Sequence, residues 1–145
     1  MTTVKQLLDG KGRQVWSVNA ETTVYDALRL MAEKGIGALV VMEAGYLVGI
    51  VSERDYARKV ILEGRSSRDT PVADIMSRAV VYARPEQSVA ACMALMTDGK
   101  FRHLPVLEQG RLVGIISIGD LVKSIIAEQE FVIEQLESYI NGALA

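Results

Sequence analysis

Apolar residues follow two rhythms along this chain, and the pair of rhythms then recurs. Val15–Val18 is a short apolar run of strand type. From Val24 to Lys34 the apolar positions Leu28, Met31 and Ala32 fall at helical spacing. Thr23, with Asp26 just beyond it, has the form of a helix start. Ala38–Met42 and Tyr46–Val51 are β-rich runs on either side of Glu43-Ala44-Gly45, which predicts a three-residue hairpin turn with Gly at positive φ. A second helix is predicted from Ser52.

The same order returns downstream. Shifted by 65 residues, Met31–Ile61 lies over Met96–Ile126 without a gap and 12 of the 31 positions are identical. The second copy predicts a strand at Val80–Tyr82, a helix at Val89–Asp98 with Met93, Leu95 and Met96 at helical spacing, strands at Leu104–Leu107 and Arg111–Ile116, and a helix from Ser117. The expected fold is therefore mixed, α/β (α+β): two tandem β-α-β-β-α repeats related by a pseudo-twofold, with the helices on one side of each sheet. The repeats are placed at residues 1–64 and 72–127, with a polar, Gly/Pro-flanked linker at 65–71.

A helical extension at 128–145 has no counterpart in the first copy. Ile126, Ile133, Leu136 and Ile140 form a stripe along it, and Asn141-Gly142 is expected to stop it. The stripe packs either on its own domain or on a second chain. The second reading, a homodimer with this helix at the interface, is preferred because a helix projecting past the repeat needs a surface to cover it.

Composition narrows the function classes. The chain has 145 residues, 50% of them hydrophobic and 23% charged, which excludes a disordered chain. Lys and Arg number 16 against 18 Asp and Glu, a balance that argues against a nucleic-acid binder. A lone cysteine, Cys92, and a lone histidine, His103, exclude a disulfide framework and a Cys/His metal centre within one chain, so no metal site is expected. The start MTTVKQLLDGKGR lacks the apolar core of a signal peptide and no apolar run is long enough to span a bilayer, so a cytoplasmic protein without membrane contact is expected.

Catalytic constellations are equally sparse. Cys92 lies within an apolar Ala/Met run and reads as an inert buried thiol. His103 has no sequence partner that marks a triad. The phosphate-loop, dinucleotide and nucleophile-elbow signatures are missing from the sequence. No enzymatic activity is expected.

One motif recurs at the end of each repeat: Gly49-Ile50-Val51-Ser52-Glu53-Arg54-Asp55 and Gly114-Ile115-Ile116-Ser117-Ile118-Gly119-Asp120. Each Ser and Asp sits where a strand gives way to a helix. Free backbone N–H groups and the helix dipole favour an anion there. A Ser hydroxyl can donate to phosphate, and an Asp one turn in can accept from the hydroxyls of a ribose. The same Ser-x-x-Asp spacing is also a capping box, and one residue can serve both ends.

These features, together with Val-Ala-Asp-Ile-Met-Ser (72–77), Phe101-Arg102-His103-Leu104-Pro105-Val106 and Gly-Arg-Leu-Val-Gly-Ile-Ile-Ser (110–117), resemble the cystathionine-β-synthase (CBS) domain pair, or Bateman module, over nearly the whole chain. The likeness is to a stand-alone, bacterial-type pair. It implies two clefts that take adenosyl ligands: AMP, ADP, ATP or NAD, with S-adenosylmethionine the weaker fit. One cleft would use Ser52, Arg54 and Asp55 with Val80, Val81 and Tyr82. The other would use Ser117, Gly119 and Asp120 with Gln14, Val15 and Trp16. Gly37, Ala38, Arg102 and His103 would lie near phosphates, and Pro105 completes the set. The clefts are not equivalent, because Gly37-Ala38 stands where the second copy has Arg102-His103, and Glu53-Arg54 where it has Ile118-Gly119. The function implied is a nucleotide sensor that signals to an unidentified regulated protein. A dimerisation module with vestigial clefts and a passive nucleotide-binding subunit are the alternatives.

Overall fold

A computed structural model describes residues 1–144. The order of elements is α1 (Val4–Lys11), β1 (Ser17–Val18), α2 (Val24–Lys34), β2 (Ala38–Glu43), β3 (Tyr46–Ser52), α3 (Glu53–Tyr56), α4 (Val89–Gly99), β4 (His103–Glu108), β5 (Arg111–Ser117) and α5 (Ile118–Leu144). A π-helical turn, Ala57–Ile61, continues α3, and a 3₁₀ turn covers Val72–Asp74. The mixed α+β class read from the sequence is the one observed.

The chain divides into two compact units: Gln14–Val81, the central unit, and Met1–Arg13 with Tyr82–Ala145, the terminal unit. In the central unit β1 pairs parallel with β2, and β2 antiparallel with β3. Its core gathers Val24, Ala27, Met31, Leu39, Val41, Val51, Val60, Val72 and Ile75. In the terminal unit β4 pairs antiparallel with β5 over a core of Val4, Leu8, Val89, Cys92, Met96, Leu104, Val106, Ile116 and Leu121.

Repeat and compact unit are different divisions of the chain. Helix α1 opens the chain yet supplies Val4, Leu7 and Leu8 to the core built on the second repeat. The 72–76 segment supplies Val72, Ile75 and Met76 to the core built on the first. The two segments dock alike. Val4 N–H donates to Gln87 O at 2.8 Å, and Val72 N–H to Thr22 O at 2.8 Å. Each also fills the hollow beside a strand glycine: a Cβ on Gly114 would meet Leu8 Cδ2 at 2.8 Å, and one on Gly49 would meet Met76 Sδ at 2.8 Å.

Three local expectations are corrected. The opening strands shrink to Ser17–Val18 and, in the second copy, to a single parallel bridge from Ala83 to Val106, with Val80–Tyr82 outside any strand. Pro105, in the neighbouring β4, has no N–H to carry the ladder upstream of Ala83. The hairpins close with two residues, not three: Glu43 faces Tyr46 directly, and Ala44 and Gly45 have φ of 50° and 82°. Gln109 and Gly110 repeat this at 51° and 79°. Positive φ at both turn positions makes a type I′ turn, whose twist matches that of the strands it joins. Finally, α5 does not stop at Asn141-Gly142 but runs on to Leu144. A helical Gly costs only about 1 kcal/mol, so it weakens a helix without ending it. Of the extension placed at 128–145, Ala145 lies outside the described residues.

Candidate functional site

Ser52 and Ser117 end the last strand of each repeat, and the chain turns there into α3 and α5. Ser52 N–H donates to Asp55 Oδ2 at 2.9 Å, and Asp55 N–H donates to Ser52 Oγ at 3.2 Å. Ser117 and Asp120 repeat this at 2.8 and 3.1 Å. Both motifs are thus complete capping boxes. Each satisfies donors that would otherwise be orphaned, which stabilises a helix start by about 1 kcal/mol.

The strand that precedes each hairpin is tied to the same corner. Glu53 N–H donates to Gly37 O at 3.1 Å, and Ile118 N–H to Arg102 O at 2.8 Å. Across the ladder Ala38 faces Ser52 and His103 faces Ser117. Gly37, Ala38, Ser52 and Asp55 are therefore neighbours in the central unit, as are Arg102, His103, Ser117 and Asp120 in the terminal unit. Gly119 and Arg102 are exposed, and so is Arg54, which has a partner of its own.

Both carboxylates carry a lysine. In the central unit Lys59 Nζ lies 3.1 Å from Asp55 Oδ1, one helical turn on, and donates to Ile75 O at 2.9 Å. The position matching Lys59 in the second repeat is Ser124. There the cation arrives from α1: Lys11 Nζ lies 2.6 Å from Asp120 Oδ2 and 2.6 Å from Ile115 O. The equivalent carbonyl in the central unit, Ile50 O, accepts instead from Ser77 N–H at 2.9 Å. Lys59 was legible from its spacing to Asp55. Lys11 had no local signal.

The terminal-unit corner is electrostatically active. Burial by itself would raise the Asp120 carboxyl, but the hydrogen bonds from Lys11 and the Ser117 N–H, with the charge of the ammonium, hold it below its ordinary 3.8. Burial pushes His103 below 6.5, helped by the charges of Lys11 and Arg102 and opposed by Asp120. His103 is therefore a neutral imidazole at pH 7, able to donate from one ring nitrogen and accept at the other.

Gln14, Val15 and Trp16 belong to the central unit, whereas Ser117, Gly119 and Asp120 belong to the terminal unit. The Trp16 ring is half-buried against the core and carries Lys34 Nζ 4.1 Å from its centroid, a cation–π contact. Val80 and Val81 close the central unit. Exposed Tyr82 lines a separate cavity of about 490 Å³ with Arg84, Glu86 and Gln109. Pro105 is buried in β4, and its carbonyl accepts from Ala83 N–H at 2.9 Å. The linker cations are engaged: Arg65 pairs with Asp74 at 2.8 Å and Arg68 lies 4.2 Å over Tyr25. Buried Cys92 has its thiol pushed up by burial, which suppresses the reactive thiolate. Among the described residues, no cluster of His, Cys, Asp and Glu suits a metal ion, and no helix is long and apolar enough to cross a membrane.

Comparison with known proteins agrees on one architecture. The family model for the CBS domain matches residues 11–62 and again 72–127. The mitochondrial CBS domain-containing protein CBSX3 of Arabidopsis thaliana is 39% identical over 151 residues, covering 97% of this chain and 73% of that protein. The structure of a protein with CBS domains from Burkholderia ambifaria superposes with a TM-score of 0.85 at 56% identity, over 88% of this chain and 96% of that one. The CBS domain pair of protein MJ0100, solved with 5′-methylthioadenosine and S-adenosyl-L-methionine, shares the fold at a TM-score of 0.77 and 22% identity, over 88% of this chain and 98% of that one.

Proposed function

The chain belongs to the CBS-domain family, of which it carries two copies, and from that premise we propose that it is a regulatory module that binds an adenosyl nucleotide. The ligand is AMP, ADP, ATP or NAD, held at the Ser-x-x-Asp corners that begin α3 and α5. One observation carries this reading: a half-buried carboxylate with a lysine beside it stands at the same strand-to-helix corner in both repeats. A carboxylate accepts the two hydroxyls of a ribose, and a cation next to it suits the phosphate on the same sugar. The ligands of the MJ0100 domain pair share the adenosyl group with these nucleotides, though they carry no phosphate.

The module is non-catalytic in this reading. The Ser and Asp of each corner are engaged with one another in the helix cap, Ser52 Oγ donating to Asp55 Oδ2 at 3.1 Å. Occupancy is passed to a protein partner through changes in packing or in a homodimer assembled along α5. Such a ligand shifts an equilibrium only by its differential affinity for two states, ordinarily about 1–3 kcal/mol of coupling.

Calorimetry of the nucleotide-free protein against AMP, ADP, ATP, NAD and S-adenosylmethionine tests this. Asp55→Asn and Asp120→Asn should each abolish one set of sites, because an amide oxygen can still cap the helix but no longer offers a charged acceptor pair. No binding of any of the five at millimolar concentration would overturn the reading. A second reading, a dimerisation module without a ligand, is favoured by the completeness of both capping boxes. It would gain if both variants melted lower and no ligand bound either the variants or the wild type.

A further inference from the structure

We infer that Lys11 is a ligand-recognition residue: α1 delivers to the Asp120 corner the cation that selects a phosphorylated ribonucleoside over the bare nucleoside. The inference rests on the proposed role of Asp120 as the ribose acceptor.

The geometry is specific. Lys11 Nζ is 2.6 Å from Asp120 Oδ2, the oxygen that also accepts from Ser117 N–H. Its second bond, to Ile115 O at 2.6 Å, fixes the ammonium against the strand end. Lys11 and Asp120 line one cavity of about 560 Å³, formed by α1 and α5 within the terminal unit, and Lys123 stands on its wall as a second cation. Glu128, which also lines the cavity, accepts from Thr2 Oγ1 at 3.2 Å and lies 3.8 Å from the N-terminal amine.

A ribose diol bound by Asp120 would use both carboxylate oxygens, so Lys11 competes with one hydroxyl for Oδ2. A neutral nucleoside gains nothing in return. A 5′-phosphate hangs from the same sugar ring, within the swing of a lysine side chain, and offers the displaced ammonium a stronger acceptor. Lys11 therefore opposes the nucleoside and favours the nucleotide. A merely structural lysine would affect both alike.

The test is calorimetry with adenosine, AMP and ATP on full-length protein carrying Asp55→Asn, so that only the Asp120 corner reports, with and without Lys11→Met or Lys11→Arg. Lys11→Met should weaken AMP and ATP about tenfold or more, leave adenosine unchanged or tighter, and reduce the salt dependence of nucleotide binding. Lys11→Arg should retain nucleotide binding. Equal loss for adenosine and AMP, with a lowered melting temperature, would make Lys11 structural and overturn the inference. So would unchanged AMP binding by Lys11→Met. If the Asp55→Asn protein binds none of the three while the wild type binds AMP, the role given to Asp120 falls and Lys11's with it. If the wild type binds nothing either, the whole proposed function falls.

Discussion

Lys11 and Asp120 stand 109 positions apart in the chain and 2.6 Å apart in space. The contact ties α1 to the start of α5 and brings the N-terminal helix to the corner where the second repeat presents its carboxylate. It also reaches His103, the only histidine in the sequence.

That single histidine is a reporter. Lys11 lowers the His103 pKa and Asp120 raises it. NMR titration of the ring protons should therefore show a higher His103 pKa in Lys11→Met and a lower one in Asp120→Asn. Shifts of the same sign in both variants would mean that the electrostatics of this corner are wrongly assigned.

Stability should fall in two stages as pH drops. His103 binds its proton more weakly folded than unfolded, because its folded pKa lies below 6.5. Once the pH falls below 6.5 the unfolded state takes up more protons, and stability declines until the folded pKa is passed. Asp120 has a folded pKa below 3.8, so its contribution is complete above 3.8 and is lost as pH falls through the folded value. Urea melts between pH 7.5 and 3 should show the first decline vanish in His103→Gln, while the acid-limb decline persists.

The strand glycines make different demands. Gly114→Ala drives a methyl into Leu8 Cδ2 at 2.8 Å, and we expect a loss of about 1–3 kcal/mol. Leu8→Ala should relieve that clash, so the double variant loses less than the sum of the two single losses. Gly49→Ala meets Met76 Sδ at 2.8 Å and also the Ser77 carbonyl oxygen at 3.0 Å. Backbone cannot step aside, so Met76→Ala should relieve it less. Chemical denaturation of the six variants decides this.

Along α5, Ile133, Leu136 and Ile140 share one face and are each more than half exposed. An apolar stripe of this kind marks an interaction surface. If a second copy covers it, Ile133→Glu with Leu136→Glu should convert a dimer to a monomer in light scattering while thermal melting of the two compact units changes little. An unchanged mass would remove α5 from the interface.

Much of this protein was readable from local pattern. The 65-residue repeat, α2 and α4, both hairpins and both Ser-x-x-Asp corners follow from periodicity and capping, which act over a few residues. Lys59 was within reach of the same reasoning, one turn from Asp55. Local pattern failed where a choice depended on packing. The Ala83 bridge goes no further because Pro105, on the strand beside it, has no N–H to donate. α5 runs through Gly142 because a single weak position does not end a long helix. Above all, the amino-acid sequence determined that each repeat would present a capped Asp, but it could not say which cation would face it. In the central unit helical spacing supplies Lys59. In the terminal unit Lys11 arrives only because Val4, Leu7 and Leu8 bury themselves in the core built on the second repeat, so tertiary packing alone decided the charge at that site.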